Sequence, residues 1–403
     1  MLRLALRNIF RHTARTALTL SAIAFGVVAL ILSRGFVVDL LEQFAESLIH
    51  SQSGHVQIAQ RGYFEGGANR PETRLVADPA AIQALLAKDP RVVESLGRLN
   101  FSALLNNGRA DFPIIGSGIE PDKERRLGTS LTIIEGRQLT NSDRYGILIG
   151  NGLAHALQLK AGDRATLVAN TIEGAMNTLD VEVVGVFQTI SKEYDARAIR
   201  LGLHDAQSLL QTPGVNVVVA YLERTSQTDA FAQGLAATLG PKGYEVETWQ
   251  DLNPFYEDTV QLYQRQFGVL LLIILLMVLL GVANTVNLTA FERLSEFGTM
   301  RAIGNSGAHV FRLVVIENLL LGLLGAIAGV ALGIAFALAI SKIGIPMPPP
   351  PNADVGYVAH IRLTAGLIAL AASVGFVAPV LAALWPATRV SRVSIVQALG
   401  ASE

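Results

Sequence analysis

The stretch FGVLLLIILLMVLLGVANTVNLT, residues 267–289, contains no charged residue. A helix needs roughly 20 mainly apolar residues to cross a bilayer core about 30 Å thick, so this stretch predicts a membrane-spanning helix. Similar charge-free stretches occupy residues 16–33, 318–341 and 363–388 of the 403-residue chain, which is 51% hydrophobic and 16% charged. The sequence therefore predicts an integral membrane α-helical protein with four transmembrane helices.

The first stretch, residues 16–33, follows a basic flank, as the apolar part of a secretory signal peptide would. Its apolar part is longer than that of a usual signal, and no small-x-small cleavage site follows. The helical pattern instead continues through GFVVDLLEQFAESL, residues 35–48. We therefore expect an uncleaved anchor whose helix extends beyond the membrane surface. Residues 253–267, before the second span, are expected to form a similar helix that packs against it, and a simple amphipathic surface helix is the alternative.

Lysine and arginine favour the cytoplasmic flanks of membrane helices, so their distribution predicts orientation. Arginines are concentrated before the first span, between the second and third, and after the fourth: Arg3, Arg7, Arg11, Arg15, Arg293, Arg301, Arg312, Arg389 and Arg392. Both termini are thus predicted to be cytoplasmic, and the long region between the first two spans is predicted to lie outside. A bacterial inner membrane with a periplasmic domain fits this arrangement.

The region predicted to lie outside, residues 39–265, is acidic and contains no cysteine. It has 28 Asp and Glu against 20 Lys and Arg, which argues against binding to nucleic acid. Alternating strands such as GHVQIAQ, residues 54–60, and a helix capped by Asp78 and Pro79 predict a mixed α+β domain. Short strands separated by glycine turns indicate a β subdomain inserted at about residues 120–212.

These observations divide the chain into nine predicted segments. They are a cytoplasmic amphipathic N-terminal helix at 1–15, transmembrane helix 1 at 16–37, an extracytoplasmic stalk and α+β domain at 38–266, transmembrane helix 2 at 267–288, a cytoplasmic helix at 289–306, transmembrane helix 3 at 307–341, an external Pro-rich loop at 342–362, transmembrane helix 4 at 363–386, and a cytoplasmic C-terminal tail at 387–403.

The sequence contains no pattern that predicts an enzyme active site. It has no GxxxxGK[ST] phosphate loop, no HExxH or GxSxG motif, and its seven histidines are scattered. We therefore expect no catalytic, cofactor or metal site in this chain. Glu317 is an ionisable residue near the start of the third span, where it could pair with a nearby arginine or act as a mechanical switch.

The segment TAFERLSEFGTMRAIGNSG, residues 289–307, places charges between two spans. Its pattern predicts a short helix on which Glu292 and Glu296 form an acidic ridge, partly offset by Arg293. Like charges four residues apart destabilise an isolated helix, so the ridge is expected to meet a basic partner. A glycine inside a helix, here Gly298, costs about 1 kcal/mol relative to alanine and suggests close approach of another backbone. A helix lying on lipid headgroups is the alternative.

Residues 291–318, FERLSEFGTMRAIGNSGAHVFRLVVIEN, resemble the segment after the second span of MacB/FtsX-type ABC transporter permeases. In that family this segment forms the coupling helix that docks on the ATPase. The matching positions are Glu292, Arg293, Glu296, Gly298, Arg301, Ala302 and Gly304. Residues 4–19, 53–64, 135–163 and 386–400 resemble other parts of the family, although Gln397 replaces a more usual glutamate.

The resemblance is greatest to the lipoprotein-releasing branch, which has no fused ATPase. It implies a separate ABC ATPase that binds ATP and Mg²⁺, and a second permease copy or paralogue. It also implies mechanotransmission, in which ATP binding moves the helices and the external domain. The expected cargo is a lipoprotein or another amphipathic molecule taken from membrane lipids, with a periplasmic carrier or adaptor. The alternatives are an FtsX-like transmitter that regulates a periplasmic cell-wall hydrolase, and drug or peptide efflux through an adaptor.

Two further sets of residues are predicted from helix patterns. Gly325, Gly329 and Gly333 form a small-residue stripe that allows close helix packing, either within one subunit or between two. Apolar positions on the stalk helices could contact cargo or could pack the helices together: Phe36, Phe44, Phe255 and Phe267.

Overall fold

The computed structural model describes residues 5, 7–8, 11, 13–65, 74–76, 78–127, 131–189, 191–348 and 356–393. Most of the predicted N-terminal helix, the proline run of the external loop and the tail beyond Val393 lie outside the described residues. The chain divides into a membrane unit (Met1–Glu42, Thr259–Pro346 and Val358–Glu403) and an external unit (Gln43–Asp258 and Met347–Tyr357).

The described helices and strands are numbered in chain order. The helices are α1 Thr13–Leu48, α2 Pro79–Leu86, α3 Pro121–Arg126, α4 Asn151–Leu157, α5 Lys192–Asp195, α6 Leu203–Leu210, α7 Thr228–Leu239, α8 Pro254–Glu292, α9 Leu294–Ala302, α10 Gly307–Ile343 and α11 Ala365–Ser391. The strands are β1 Val56–Gln60, β2 Val92–Asn106, β3 Asp111–Ile119, β4 Thr132–Gly136, β5 Gly146–Gly150, β6 Arg164–Asn170, β7 Met176–Gln188, β8 Ala198–Gly202, β9 Val217–Leu222, β10 Tyr244–Thr248, β11 Ile345–Met347 and β12 Tyr357–Ala359.

Among the described residues, α1, α8, α10 and α11 are long and apolar enough to cross a membrane. This confirms the four predicted transmembrane helices. The helix α1 has 36 residues and therefore extends about 54 Å. The helix α8 has 39 residues and extends about 58 Å. Both exceed the length that a bilayer core requires, and each continues without interruption from the membrane unit into the external unit.

The small-residue stripe of α10 lies against α1 of the same chain. Gly325, Gly329 and Gly333 each face α1 residues. At Gly329 an added Cβ would lie 2.7 Å from the Cβ of Val27 and 3.0 Å from the Cα of Ala24. Real Cβ atoms do not approach backbone and side chains so closely, so glycine allows the two helices to pack at this distance.

The external unit contains a ten-stranded sheet in the order β10-β1-β9-β2-β3-β8-β5-β7-β4, with β6 paired to β2 and β7. The pairs β3–β8 and β5–β7 are parallel, whereas the other pairs are antiparallel. The predicted α+β class is confirmed. The expected N-cap of α2 is also present, because the Asp78 side chain accepts a hydrogen bond from the backbone of Ala81 at 2.9 Å.

The predicted β subdomain, at about residues 120–212, contributes β4 to β8 to this sheet. The first part of β2 pairs with β9, and its second part pairs with β3 and β6. The strand β8 also pairs with β3, which precedes residue 120. Because the 15-residue β2 participates in both parts of the sheet, the two parts share a strand. The helices α2 and α7 cover one part, and α4 and α6 cover the other.

Candidate functional site

The segment between the second and third spans forms a tight connection around α9. The helix α8 ends at Glu292, and Arg293 occupies the N-cap of α9. After α9, Gly304 adopts a φ of +102°, a conformation that favours glycine. The backbone N–H of Gly304 donates to Arg301 at 3.0 Å, and that of Asn305 donates to Met300 at 3.1 Å. These two bonds form a Schellman motif, which ends α9 and turns the chain toward α10.

A buried ion pair joins this segment to the third span. The Nη1 atom of Arg293 donates to Oε2 of Glu317 at 2.7 Å, and Nη2 donates to Oε1 at 3.3 Å. The two side chains are only 8% and 10% exposed. The Nδ2 group of Asn8 also donates to Glu317, at 2.6 Å. Glu317 therefore holds the start of α9 and the N-terminal segment together on α10.

The acidic ridge is neutralised within the chain, so the expectation of an unbalanced ridge was wrong. Arg15 forms an ion pair with Glu292, and Arg11 pairs with Glu296 at 3.1 Å. Arg293 also pairs with Glu296, at 3.1 Å, which confirms the expected contact between residues three apart. Arg11 and Arg15 have the same four-residue spacing as the two glutamates. This matching spacing was the sequence signal that could have identified the pairs.

The other predicted coupling residues are also placed within the fold. The Nη1 group of Arg301 donates to the backbone carbonyl of Val393, beyond the end of α11. Gly298 is buried beside Phe297 on α9. Of the six predicted coupling residues, Glu292 and Gly304 are exposed. A Cβ added at Gly304 would meet no atom within 4 Å, and this glycine serves the turn. The predicted set therefore shapes and anchors the segment more than it forms an open surface.

The open surface lies at the end of α9. Thr299, Ala302 and Ile303 are exposed, and the isoleucine side chain is 78% exposed. The side chain of Ile303 therefore forms an exposed apolar surface at the end of α9, which we call the tip of α9. The sequence pattern gave no signal that Ile303 is exposed, because apolar residues of a helical pattern are usually buried.

A small cavity lies beside the buried ion pair. Its volume is about 60 Å³, and residues from α1, α8 and α10 line it, including Thr19, Thr285 and Asn318. The Nδ2 group of Asn318 donates to Val314 at 2.9 Å, whereas its buried Oδ1 atom has no hydrogen-bond partner among the described residues. The cavity is large enough for a small number of water molecules, which could satisfy this oxygen.

The four phenylalanines proposed as cargo contacts have different environments. Phe44 and Phe255 contact each other edge to face, with ring centroids 6.3 Å apart. Phe255 is nevertheless 69% exposed, whereas Phe267 is buried beneath the guanidinium of Arg34 at 4.7 Å. Phe36 is half-buried. Phe255 is thus the one of the four that presents a large open aromatic surface, and Phe267 packs within the membrane unit.

Among the described residues, no cluster of three or more His, Asp and Glu side chains could hold a metal ion. The buried charges described above pair with one another.

Two family models match the chain. The MacB-like periplasmic core domain matches residues 16–238, and the FtsX-like permease C-terminal domain matches residues 268–395. Together they include most of the external domain, the apolar stretches of the four spans and the segment around α9.

Curated relatives agree with these matches at low identity. An uncharacterised ABC transporter permease of Methanocaldococcus jannaschii is 25% identical over 84% of this chain and 84% of its own length. The lipoprotein-releasing system transmembrane protein LolC of Neisseria meningitidis serogroup B is 24% identical over 95% of this chain and 93% of its own. The macrolide export ATP-binding/permease protein MacB of Sodalis glossinidius is 24% identical over 99% of this chain, which covers 60% of MacB.

Among solved structures, the periplasmic region of MacB from Actinobacillus actinomycetemcomitans matches 52% of this chain and 94% of its own, with 14% identity and a TM-score of 0.37. The family models cover more than half of the sequence, and the relatives are permease components of membrane transport systems. The chain therefore belongs to the MacB/FtsX-type family of ABC transporter permeases.

Proposed function

We propose that this chain is the permease subunit of an ATP-driven transporter that works by mechanotransmission. The observation that carries the proposal is the anchored segment around α9, which presents Ile303 while Arg293 and Glu317 hold its base on α10. In this proposal an ABC ATPase partner binds the ATP and Mg²⁺, as membership of an ABC transporter permease family suggests. The exposed tip docks on that ATPase.

The contacts of the segment give a route for the motion. Movement of α9 is transmitted to α10 through the buried ion pair between Arg293 and Glu317, in which Nη1 and Oε2 are 2.7 Å apart. The same movement is transmitted to Arg11 through its ion pair with Glu296. The helices α1 and α8 then extend uninterrupted into the external unit. Because a helix is stiff along its axis, movement of the membrane part displaces the external end.

The proposed setting is a bacterial inner membrane with both termini in the cytoplasm. Arginines near the termini and around α9 support this orientation under the positive-inside rule. Transporters of this kind need two permease chains, so we propose a second copy or a paralogue as partner. The glycines of α10 pack on α1 of the same chain. The contact with the second permease chain therefore uses another surface.

The proposed cargo is a lipoprotein or another amphipathic molecule taken from the outer leaflet. The support is the similarity to LolC, together with the exposed aromatic ring of Phe255. Drug or peptide export through an adaptor is the alternative, and the similarity to the macrolide export protein MacB supports it. Mass spectrometry of lipids and proteins that co-purify with the chain distinguishes these cargo classes from an FtsX-like complex, which would retain a cell-wall hydrolase instead of lipid or lipoprotein.

The docking proposal is tested with Ile303→Asp in the complex purified with its ABC ATPase. Placing a charge at a central apolar contact should weaken ATPase binding by roughly 30-fold or more and reduce stimulation of ATP hydrolysis in parallel. Ile343→Asp is the matched control, since Ile343 is 86% exposed at the opposite end of α10. Substitutions at Glu296 are less informative because they also break the ion pair with Arg11.

The expected pattern is loss of binding in Ile303→Asp and normal binding in the control variant. Wild-type binding and stimulation in Ile303→Asp would show that the tip of α9 is not the docking surface.

A further inference from the structure

The end of α1 within the external unit has an unusual set of partners. After Leu48 the helix continues as a buried π-helical turn, Ile49–Ser53. The last carbonyl groups of a helix have no partner inside the helix and must be satisfied by other groups. Here two of them accept hydrogen bonds from arginine side chains of the sheet.

Three buried side chains form this contact, and we name them the Arg–Glu–Arg triad: Arg98, Glu124 and Arg200. Arg98 donates to the carbonyl of Gln52, and Arg200 donates to the carbonyl of Ser51. Glu124 lies between the two guanidinium groups, at 2.7 Å from Arg98 and 2.8 Å from Arg200. All three side chains are at most 6% exposed.

The charges of the triad match the helix end. Burial alone would raise the pKa of Glu124, but the adjacent Arg98 and Arg200 outweigh it and hold that pKa below its usual range. The carboxylate is therefore ionised, and the triad carries one net positive charge. A helix C-terminus has a partial negative charge of about half an elementary charge, which favours a cation at this position.

The triad also joins both parts of the sheet. Arg98 lies in the part of β2 that pairs with β9, opposite Val217. Arg200 lies in β8, between β3 and β5. Glu124 comes from α3, which follows β3 in the chain. One helix end is consequently bound to two strands that belong to different parts of the sheet.

We infer that the triad makes the end of α1 and both parts of the sheet move as one body. Its members are positioning residues that carry motion of α1 into the external domain, and this role rests on the proposed mechanotransmission. Gly54 adds to the fixation, because it follows the π-helical turn with a φ of +67° and lies directly against Val219. A side chain at that position would meet Val219 at 2.1 Å.

The test uses the full chain in detergent and the triple substitution Arg98→Met, Glu124→Leu and Arg200→Met. Apolar replacement of a complete buried ion cluster leaves no unpaired charge and commonly preserves folding. Amide hydrogen exchange in residues 49–54 should become about a hundredfold faster, because two charge-assisted hydrogen bonds to that turn are lost. Exchange in β9, residues 217–222, should remain at the wild-type rate.

Exchange that stays slow in residues 49–54, or that rises equally in β9, would overturn the inference, since the second pattern shows only general loss of stability. Arg98→Lys is the milder variant, because a lysine cannot bond Glu124 and the Gln52 carbonyl with a planar fork. It should accelerate exchange in the same turn about tenfold. The substitution pair Arg137→Met and Asp143→Leu, at an ion pair on the same domain whose arginine is 60% exposed, should leave the turn unchanged.

A second readout separates this inference from the docking proposal. The exchange experiment needs no ATPase and stands even if Ile303 is not a docking residue. In the assembled complex, the triple variant should bind the ATPase and hydrolyse ATP normally. The ATP-dependent change in exchange within β2 and β8 should be lost. A full ATP-dependent change in the triple variant would contradict a positioning role.

Discussion

Removing the carboxylate of Glu317 should strongly destabilise the membrane unit. The substitution Glu317→Leu leaves Arg293 buried, with an 8% exposed side chain and without its main counter-ion. It also removes the acceptor of the 2.6 Å bond from Asn8. Breaking a buried ion pair by deleting one partner costs about 3–5 kcal/mol. The loss should lie near the lower end of this range, because Arg293 keeps its ion pair with the part-exposed Glu296 at 3.1 Å. For a unit of this size, the melting temperature should fall by about 10 °C.

The double variant Arg293→Met and Glu317→Leu provides the decisive comparison. It removes both charges, so its loss of stability should be much smaller than that of the single variant. The control is Glu42→Gln, which breaks an exposed ion pair with Arg362 in the same unit and should cost less than about 1 kcal/mol.

The assay is thermal unfolding of the purified chain in detergent, followed by intrinsic fluorescence at one fixed scan rate, because unfolding of such proteins is often irreversible. A Glu317→Leu melting temperature equal to that of Glu42→Gln would refute the reasoning. A double variant that is destabilised by the sum of the losses in Glu317→Leu and in the single variant Arg293→Met would refute it equally, since that additivity means no coupling between the two charges.

Two other predictions concern packing and pH. Gly329→Leu should destabilise the chain by at least about 1–3 kcal/mol in the same thermal assay, because its side chain would overlap α1, whereas Gly366→Leu faces open space and should be neutral. Burial lowers the pKa of His55 to about 4, and its Nδ1 atom accepts from the backbone of Leu222 at 3.2 Å. The unfolded chain binds this proton near pH 6.5, so stability should decline by up to about 3 kcal/mol as the pH falls from 6.5 to 4. His55→Gln should lack that part of the acid loss in urea unfolding followed by fluorescence, and an unchanged pH profile would contradict the prediction.

Local sequence patterns were sufficient for the spans and for several external elements. The charge-free stretch at residues 267–289 predicted a membrane helix because bilayer thickness sets its length. Asp78 followed by Pro79 predicted the start of α2, since capping depends on neighbouring residues only. Local alternation did not reveal how β2 connects the predicted subdomain with the rest of the sheet, because the first part of β2 pairs with β9 and its second part pairs with β3 and β6.

The charge network could not be derived from local patterns, because its partners are distant in the chain. Arg11 and Glu296 are 285 residues apart, and Arg200 and Glu124 are 76 residues apart. One signal was nevertheless present. Arg98 and Arg200 each interrupt a strand whose other residues are mostly apolar, and an arginine at such a position needs a buried partner. The sequence does not say which carboxylate provides it.

Cross-linking at the tip of α9 tests the central claim most directly. The chain has no cysteine, so Ile303→Cys introduces a single thiol at a position that is 78% exposed. In the assembled complex, a short thiol-reactive cross-linker at residue 303 should join the chain to its ABC ATPase, whereas Ile343→Cys should not. If the ATPase co-purifies and is active, but residue 303 forms no cross-link to it, the ATPase docks elsewhere and the proposed route of transmission is wrong.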